Sequence, residues 1–276
     1  MKITVEPPSA NQTAPPLPQR RSVNRVLAAL DQLADQSPRC LSKSLGQFES
    51  AGRSYSLPRY VYLGPKGGGD VIRIGIFAAI HGDEPEGALA LARFVGELEA
   101  NPEIAKGYAL YIYPVCNPTG FEDNTRHARG GRDLNREFWK QSAEPEVRYL
   151  ESEICLHAFD GIITLHSDDT SNGLYGFVGG DVLSENLLEP ALREAEQFLP
   201  RNREGVIDGF AARGGIIADG YAGMLQSVPG LAHPPFELTL ETPQRAPLHR
   251  QVEAFNAALK TILVEYRYLM AIAQNI

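Results

Sequence analysis

Apolar residues at Val26, Leu27, Leu30 and Leu33 recur at the three-and-four spacing of one helical face, and Ser37-Pro38 ends the pattern, so an amphipathic helix is predicted from Asn24. Tyr60–Leu63 and Val71–Ile80, separated by Gly-Pro-Lys-Gly-Gly-Gly-Asp, read as a hairpin feeding a strand. The second of these is apolar at nearly every position. Such a strand belongs in a sheet covered on both faces, which is usually parallel with helical crossovers. The alternation then continues: a helix over Glu86–Leu98 with Pro85 at its first turn, a strand over Ala109–Val115, a helix over Glu144–His157 and a strand over Gly161–Leu165. A helix over Leu183–Phe198, strand-like Gly215–Ala218 and Phe236–Leu240, and a long helix over Leu248–Ile272 complete it. The fold class predicted is α/β, a single domain with a mixed, mainly parallel twisted sheet flanked by helices. In such sheets, ligands gather beyond the carboxyl ends of the strands.

The chain has 276 residues with no Pro/Gly/Ser-rich linker through its middle, which favours one domain. Five prolines in the first twenty residues set off an extended arm, dividing the chain into an arm over 1–22 and one globular domain over 23–276. The arm could cover a sheet edge or reach a partner subunit, so a homo-oligomer stays open. Twenty-six Lys and Arg against 34 Asp and Glu give a net charge of −8, which argues against nucleic acid and anionic lipid as partners. Three cysteines without a close pair argue against a disulfide framework or a thiolate metal cluster. With no apolar leader and no long apolar run, a soluble cytoplasmic protein is expected.

Chemistry concentrates where the apolar strands end. His81-Gly82-Asp83-Glu84 follows the most apolar strand, and an imidazole and a carboxylate three residues apart on a strand-to-helix turn can share one metal ion. By itself the pair also fits an acidic capping turn beside a surface histidine. A second strand terminus, Thr164-Leu165-His166, supplies another histidine, and two imidazoles with one carboxylate make a three-ligand site with room for water, as in catalytic zinc. His127, His157, His233 and His249 have no matching partner. A third terminus, Phe236–Pro243, offers Glu241 as a base beside the metal; Glu237 and Thr239 share its face, and Glu237 is the rival. Between these segments Arg126, Arg129, Arg132 and Arg136 fall within eleven residues, a cationic loop suited to a small anion or else salt-bridged to neighbouring acids.

His81-x-x-Glu84, Asp133-Leu134-Asn135-Arg136, Leu165-His166-Ser167 and Thr239-Leu240-Glu241 occur in the order found in the zinc carboxypeptidase superfamily, which includes succinylglutamate desuccinylase and aspartoacylase. The chain resembles that superfamily over about residues 70 to 245. The resemblance implies a carboxypeptidase-like fold and one zinc ion on His81, Glu84 and His166, with no second metal expected. It implies Glu241 as general base and acid, Arg126 as the arginine polarising the scissile carbonyl, and Asn135 and Arg136 as the grip on a terminal carboxylate. Asp133 matches the acid that orients a histidine ligand, a role with its own rationale because a ligating imidazole usually donates its second N–H to a carboxylate. The activity implied is a metallopeptidase, a carboxypeptidase acting on small peptides. An N-acyl amino acid deacylase, a peptidoglycan-fragment amidase and a non-catalytic carboxylate-binding module are the alternatives. After His166 the chain departs from the digestive carboxypeptidases, reading Ser-Asp-Asp. Tyr175 and Tyr221 lack a motif and read as packing residues; Glu86, Asp168 and Asp169 read as solvated turn acids.

Overall fold

The computed structural model describes residues 21–273, so the proline-rich arm assigned to 1–22 lies outside the described residues except for Arg21 and Ser22. Helix α1 (Val23–Gln36) opens where the Ser22 side chain accepts from the Arg25 amide, and it buries Leu27 and Leu30. Strands β1 (Cys40–Ser50) and β2 (Arg53–Leu63) then form an antiparallel hairpin. Strand β3 (Ile72–Ala78) leads to α2 (Glu86–Ala100), β4 (Tyr108–Tyr113), the short α3 (Pro118–Asp123), α4 (Pro145–His157) and β5 (Gly161–Asp168). Strand β6 (Tyr175–Val178) precedes α5 (Asp181–Leu183), a π-helical turn and α6 (Glu189–Ala195). The short strands β7 (Val206–Ile207), β8 (Phe210–Arg213) and β9 (Ile216–Ile217) follow, then β10 (Phe236–Pro243) and the closing helix α7 (Leu248–Ala273).

The strands make one sheet in the order β1-β2-β4-β3-β5-β10-β6-β9-β8-β7. Its centre, β4-β3-β5-β10, is parallel, while β2 and β6 flank it antiparallel. The expected hairpin of 60–63 with 71–80 does not form, because β4 inserts between β2 and β3, and β2 pairs instead with β1. Strand β1 carries no apolar rhythm, being an edge strand with mostly exposed or half-exposed positions.

Alternation through the central strands explains their apolar runs. Ile74 and Ile76 of β3 and Ile163 and Leu165 of β5 join the core under α1, α2, α6 and α7. Phe77 and Ile162 face the other way, into a core with Val147, Leu150 and Ile154 of α4. Both faces are dry, so neither has to be polar. No helix among the described residues is long and apolar enough to cross a membrane.

Candidate metal centre and substrate cavity

Strands β3, β5 and β10 run parallel, so their carboxyl ends open on one rim of the sheet. Just past β3 the chain turns through Ala79, whose φ of 48° is unusual for a residue with a side chain. The turn is pinned where the Cys116 and Asn117 amides donate to the Ala78 and Ala79 carbonyls at 3.0 Å. It delivers His81 and Glu84 to the rim. Gly82 is required there because a Cβ would sit 2.0 Å from the Gly120 carbonyl carbon, so only glycine lets the turn lie against α3.

On the neighbouring strand, His166 follows Leu165 with its side chain on the α4 face. The parallel register sets Glu241 directly beside His166, and two residues earlier Thr164 and Thr239 hydroxyls meet at 2.7 Å. Backbone pairing therefore holds His166 and Glu241 abreast. Glu237 sits four residues back, accepting from the Ser227 amide at 2.6 Å, and is absent from the cavity wall.

His81, Glu84 and His166 are all buried, and one ligand atom from each lies within 4.8 Å of the others. His81 Nδ1 stands 2.7 Å from Glu84 Oε1, and His166 Nδ1 stands 3.0 Å from Glu84 Oε2. The Ser167 amide also donates to Glu84 Oε2, at 3.1 Å. His81 Nε2 faces Asp133 Oδ1 at 3.3 Å; a proton on Nε2 leaves Nδ1 a bare acceptor pointed at a carboxylate. An acceptor aimed at a carboxylate calls for positive charge between them, and two imidazoles with one carboxylate make a donor set that suits a divalent ion.

The titration directions agree. Burial would raise the Glu84 carboxyl, but His81 and His166 outweigh it and hold it low. Burial would lower His81, yet Glu84 and Asp133 raise it, whereas burial wins at His166 and lowers it. The Glu241 carboxyl is pushed well above the ordinary range by burial first, then by Glu84, Asp168 and Asp208.

Asp133 does three jobs at the start of the 3-10 turn over Leu134–Arg136. It accepts from the Asn135 amide at 3.0 Å, contacts His81, and accepts from Arg126 Nε at 3.2 Å. Arg126 Nη1 lies 3.7 Å from Glu84. Asn135 Oδ1 accepts from the Leu225 amide at 2.8 Å, so Nδ2 is the donor left, 3.5 Å from His166 Nε2. Arg136 lies over the Tyr221 ring, 4.4 Å from its centroid. Of the other loop arginines, Arg129 pairs with Asp123 at 2.6 Å and Arg132 with Glu137 at 3.8 Å, which makes them structural partners rather than part of the rim.

A cavity of about 400 Å³ joins the ligand trio to Glu241, Arg126, Asn135 and Arg136. Tyr175 and Tyr221 both line it, as do Asp168 and Asp208. Both tyrosines, read as packing residues, border the cavity, and Asp208 carried no signal in the sequence because strands as short as β7 and β8 have no readable pattern. Glu86 differs from the solvated acid expected: it is 2% exposed on the α2 side of the sheet, with Oε1 unpartnered, and burial raises it to about 7. Asp168 is tied to Tyr175 Oη and to Thr170 rather than being free, whereas Asp169 is exposed. His127, His157, His233 and His249 do not line the cavity.

Residues 70–202 match the family model of the succinylglutamate desuccinylase/aspartoacylase catalytic domain. No curated protein matches the chain. Among solved structures, a protein of Shewanella amazonensis SB2B provisionally described as a metallopeptidase is 25% identical with a TM-score of 0.74, over 87% of this chain and 92% of that one. A metallo-carboxypeptidase of Burkholderia cenocepacia shares the fold at 18% identity and a TM-score of 0.69, covering 91% of this chain and 70% of that one. So does a metallo-carboxypeptidase of Pseudomonas aeruginosa in complex with (2-guanidinoethylmercapto)succinic acid, at 19% identity and a TM-score of 0.65, over 89% and 69%. With the ordered motifs gathered on one rim of the sheet, the chain shares the fold of these metallopeptidases and metallo-carboxypeptidases, and its residues 70–202 are similar to the desuccinylase/aspartoacylase catalytic domain.

Proposed function

We propose that this protein is a zinc-dependent hydrolase that cleaves an amide bond next to a free carboxylate, acting as a metallocarboxypeptidase on small peptides. The observation that carries the reading is a single cavity containing two imidazoles and a carboxylate within 4.8 Å of one another, together with Glu241 and Arg136. His81, Glu84 and His166 would hold the ion, and Asp133 would keep the His81 ring oriented. Zinc bound there supplies Lewis acidity to a carbonyl and acidifies a water molecule. Glu241, raised in proton affinity by burial and surrounding carboxylates, takes the proton of the attacking water and returns it to the leaving amine. Arg126 faces the oxygen on which negative charge develops. Arg136 and Asn135 Nδ2 bind the substrate's carboxylate and so fix the amide against the nucleophile.

A second reading, an N-acyl amino acid deacylase, is supported by the desuccinylase/aspartoacylase model match. Zinc-loaded protein assayed on short peptides and on N-acyl amino acids, before and after chelation, separates the two. Turnover that disappears with the chelator and returns with zinc is expected; release of a C-terminal residue favours the peptidase, and release of an acyl group the deacylase. A zinc-loaded protein that turns over neither series is a carboxylate-binding module, and the hydrolase reading is then wrong.

A further inference from the structure

We propose that Asp208 is a specificity residue, selecting a substrate residue whose side chain ends in a cation, an amine or a guanidinium. The inference rests on the carboxylate-anchoring reading of Arg136 given above.

Asp208 and Gly209 form the two-residue turn between β7 and β8, closed by the Ile207–Phe210 pair, with φ of 50° and 81°. A turn with both central residues at positive φ favours Asn, Asp and Gly. The backbone thus accounts for a small polar residue here and is indifferent to its charge. The charge points into the cavity, where no ion pair reaches Asp208, Asp168 or Glu241 among the described residues.

Tyr221 measures the distance between the two poles. Its ring face carries the Arg136 guanidinium at 4.4 Å, and its hydroxyl donates to the Asp208 carbonyl at 2.9 Å. One aromatic side chain therefore separates the carboxylate anchor from Asp208, a span comparable to the reach of an arginine or lysine side chain from its own carboxylate. Asp168 lies on the same side, fixed by Thr170 N and Oγ1, both at 2.7 Å, and by Tyr175 Oη at 2.9 Å. A carboxylate so held is preorganised to receive a charged donor. The aromatic faces of Tyr175 and Phe177 in the same wall add a surface that a cation tolerates.

Charge balance points the same way. Six carboxylates and two guanidinium groups line the cavity, so it stays net negative even with a divalent ion bound. Burial, and then the nearby Asp168, raise the Asp208 carboxyl, as expected of an acid whose counter-charge has yet to arrive. A neutral or acidic side chain would leave these carboxylates uncompensated.

Arginine and citrulline differ little in shape, but only arginine is charged, which makes them the matched probes. The zinc-loaded full-length protein is assayed on benzoylglycyl-arginine against benzoylglycyl-citrulline, and on N-acetyl-arginine against N-acetyl-citrulline. The arginine member should lead in kcat/KM by about tenfold or more, a typical return for one close charge pair. In Asp208→Asn, which the turn accepts, that ratio should fall toward one. A wild-type ratio near one, or a ratio that Asp208→Asn leaves unchanged, overturns the inference while the hydrolase reading stands. If neither pair is cleaved while other short peptides or N-acyl amino acids are, the inference is overturned and the hydrolase reading stands; if nothing is cleaved, the hydrolase reading fails, and calorimetric binding of free arginine and free citrulline decides: preference for arginine that Asp208→Asn abolishes upholds the cationic pole, and equal affinities overturn it.

Discussion

Glu241 illustrates how a single residue acquires its chemistry from its neighbours. Its position beside His166 follows from the parallel register, and its raised proton affinity follows from burial and then from Glu84. Under the proposed mechanism, removing its charge while keeping its shape removes the proton acceptor alone. Glu241→Gln should therefore lower kcat by roughly 10²–10⁴, the usual scale of general acid–base catalysis, with bound zinc unchanged. Elemental analysis alongside the turnover assay checks both halves; near-normal kcat would take the base role away from Glu241.

Asp133 is a residue that the sequence singles out and whose contacts the fold supplies. One carboxylate meets His81, Arg126 and the Asn135 amide, so the Asp-Leu-Asn-Arg motif acts as a bracket joining the His81–Glu84 turn to the arginine-rich loop. Glu86 shows the opposite. Sequence spacing gave no sign that the first turn of α2 is covered by the β5 end, which is why an acid expected in solvent is buried.

Among the elements, α4 carries a similar buried acid that does not line the cavity. Glu146 is 2% exposed in the first turn, and burial raises its carboxyl from 4.5 to about 7. The folded state therefore holds this proton more tightly than the unfolded chain, and the wild type loses stability as pH rises from about 4.5 to about 7. Glu146→Gln has no such loss. It should be stabilised relative to wild type by about 1–3 kcal/mol at pH 8, with the difference shrinking toward zero by pH 4. Thermal unfolding of both proteins across that range measures it; a constant difference would mean that Glu146 does not titrate as described.

The elements most legible in the sequence were those buried on both faces or amphipathic over several turns. β3 and β5 announced themselves because neither face has to be polar, β10 by the alternation of Phe236, Leu238 and Leu240 with polar residues, and α1, α2, α4 and α7 because a helix with one wet face repeats its apolar residues. The edge strand β1 and the short strands β6, β7 and β8 did not. Their positions are set by partners distant in sequence rather than by their own patterns. The hairpin error has the same origin, since nothing local to 60–80 reveals that β4 will come between the two strands.

At the scale of the whole molecule, the fold is a device for bringing three strand ends to one rim. The candidate metal trio spans His81 to His166, and the adjacency of β3 with β5, and of β5 with β10, unites it with Glu241. The ordered motifs made this convergence readable in advance. The acidic far side of the cavity was not readable, because Asp208 and Tyr221 sit on segments without periodicity and meet only across the folded chain.

The most direct test of this account is a crystal of zinc-loaded protein measured on either side of the zinc absorption edge. The account predicts one anomalous peak at coordination distance from His81 Nδ1, a Glu84 oxygen and His166 Nδ1, about 2.0–2.2 Å from each. A fully loaded, well-ordered crystal with no peak among these three atoms, or with zinc held by other residues, would contradict it.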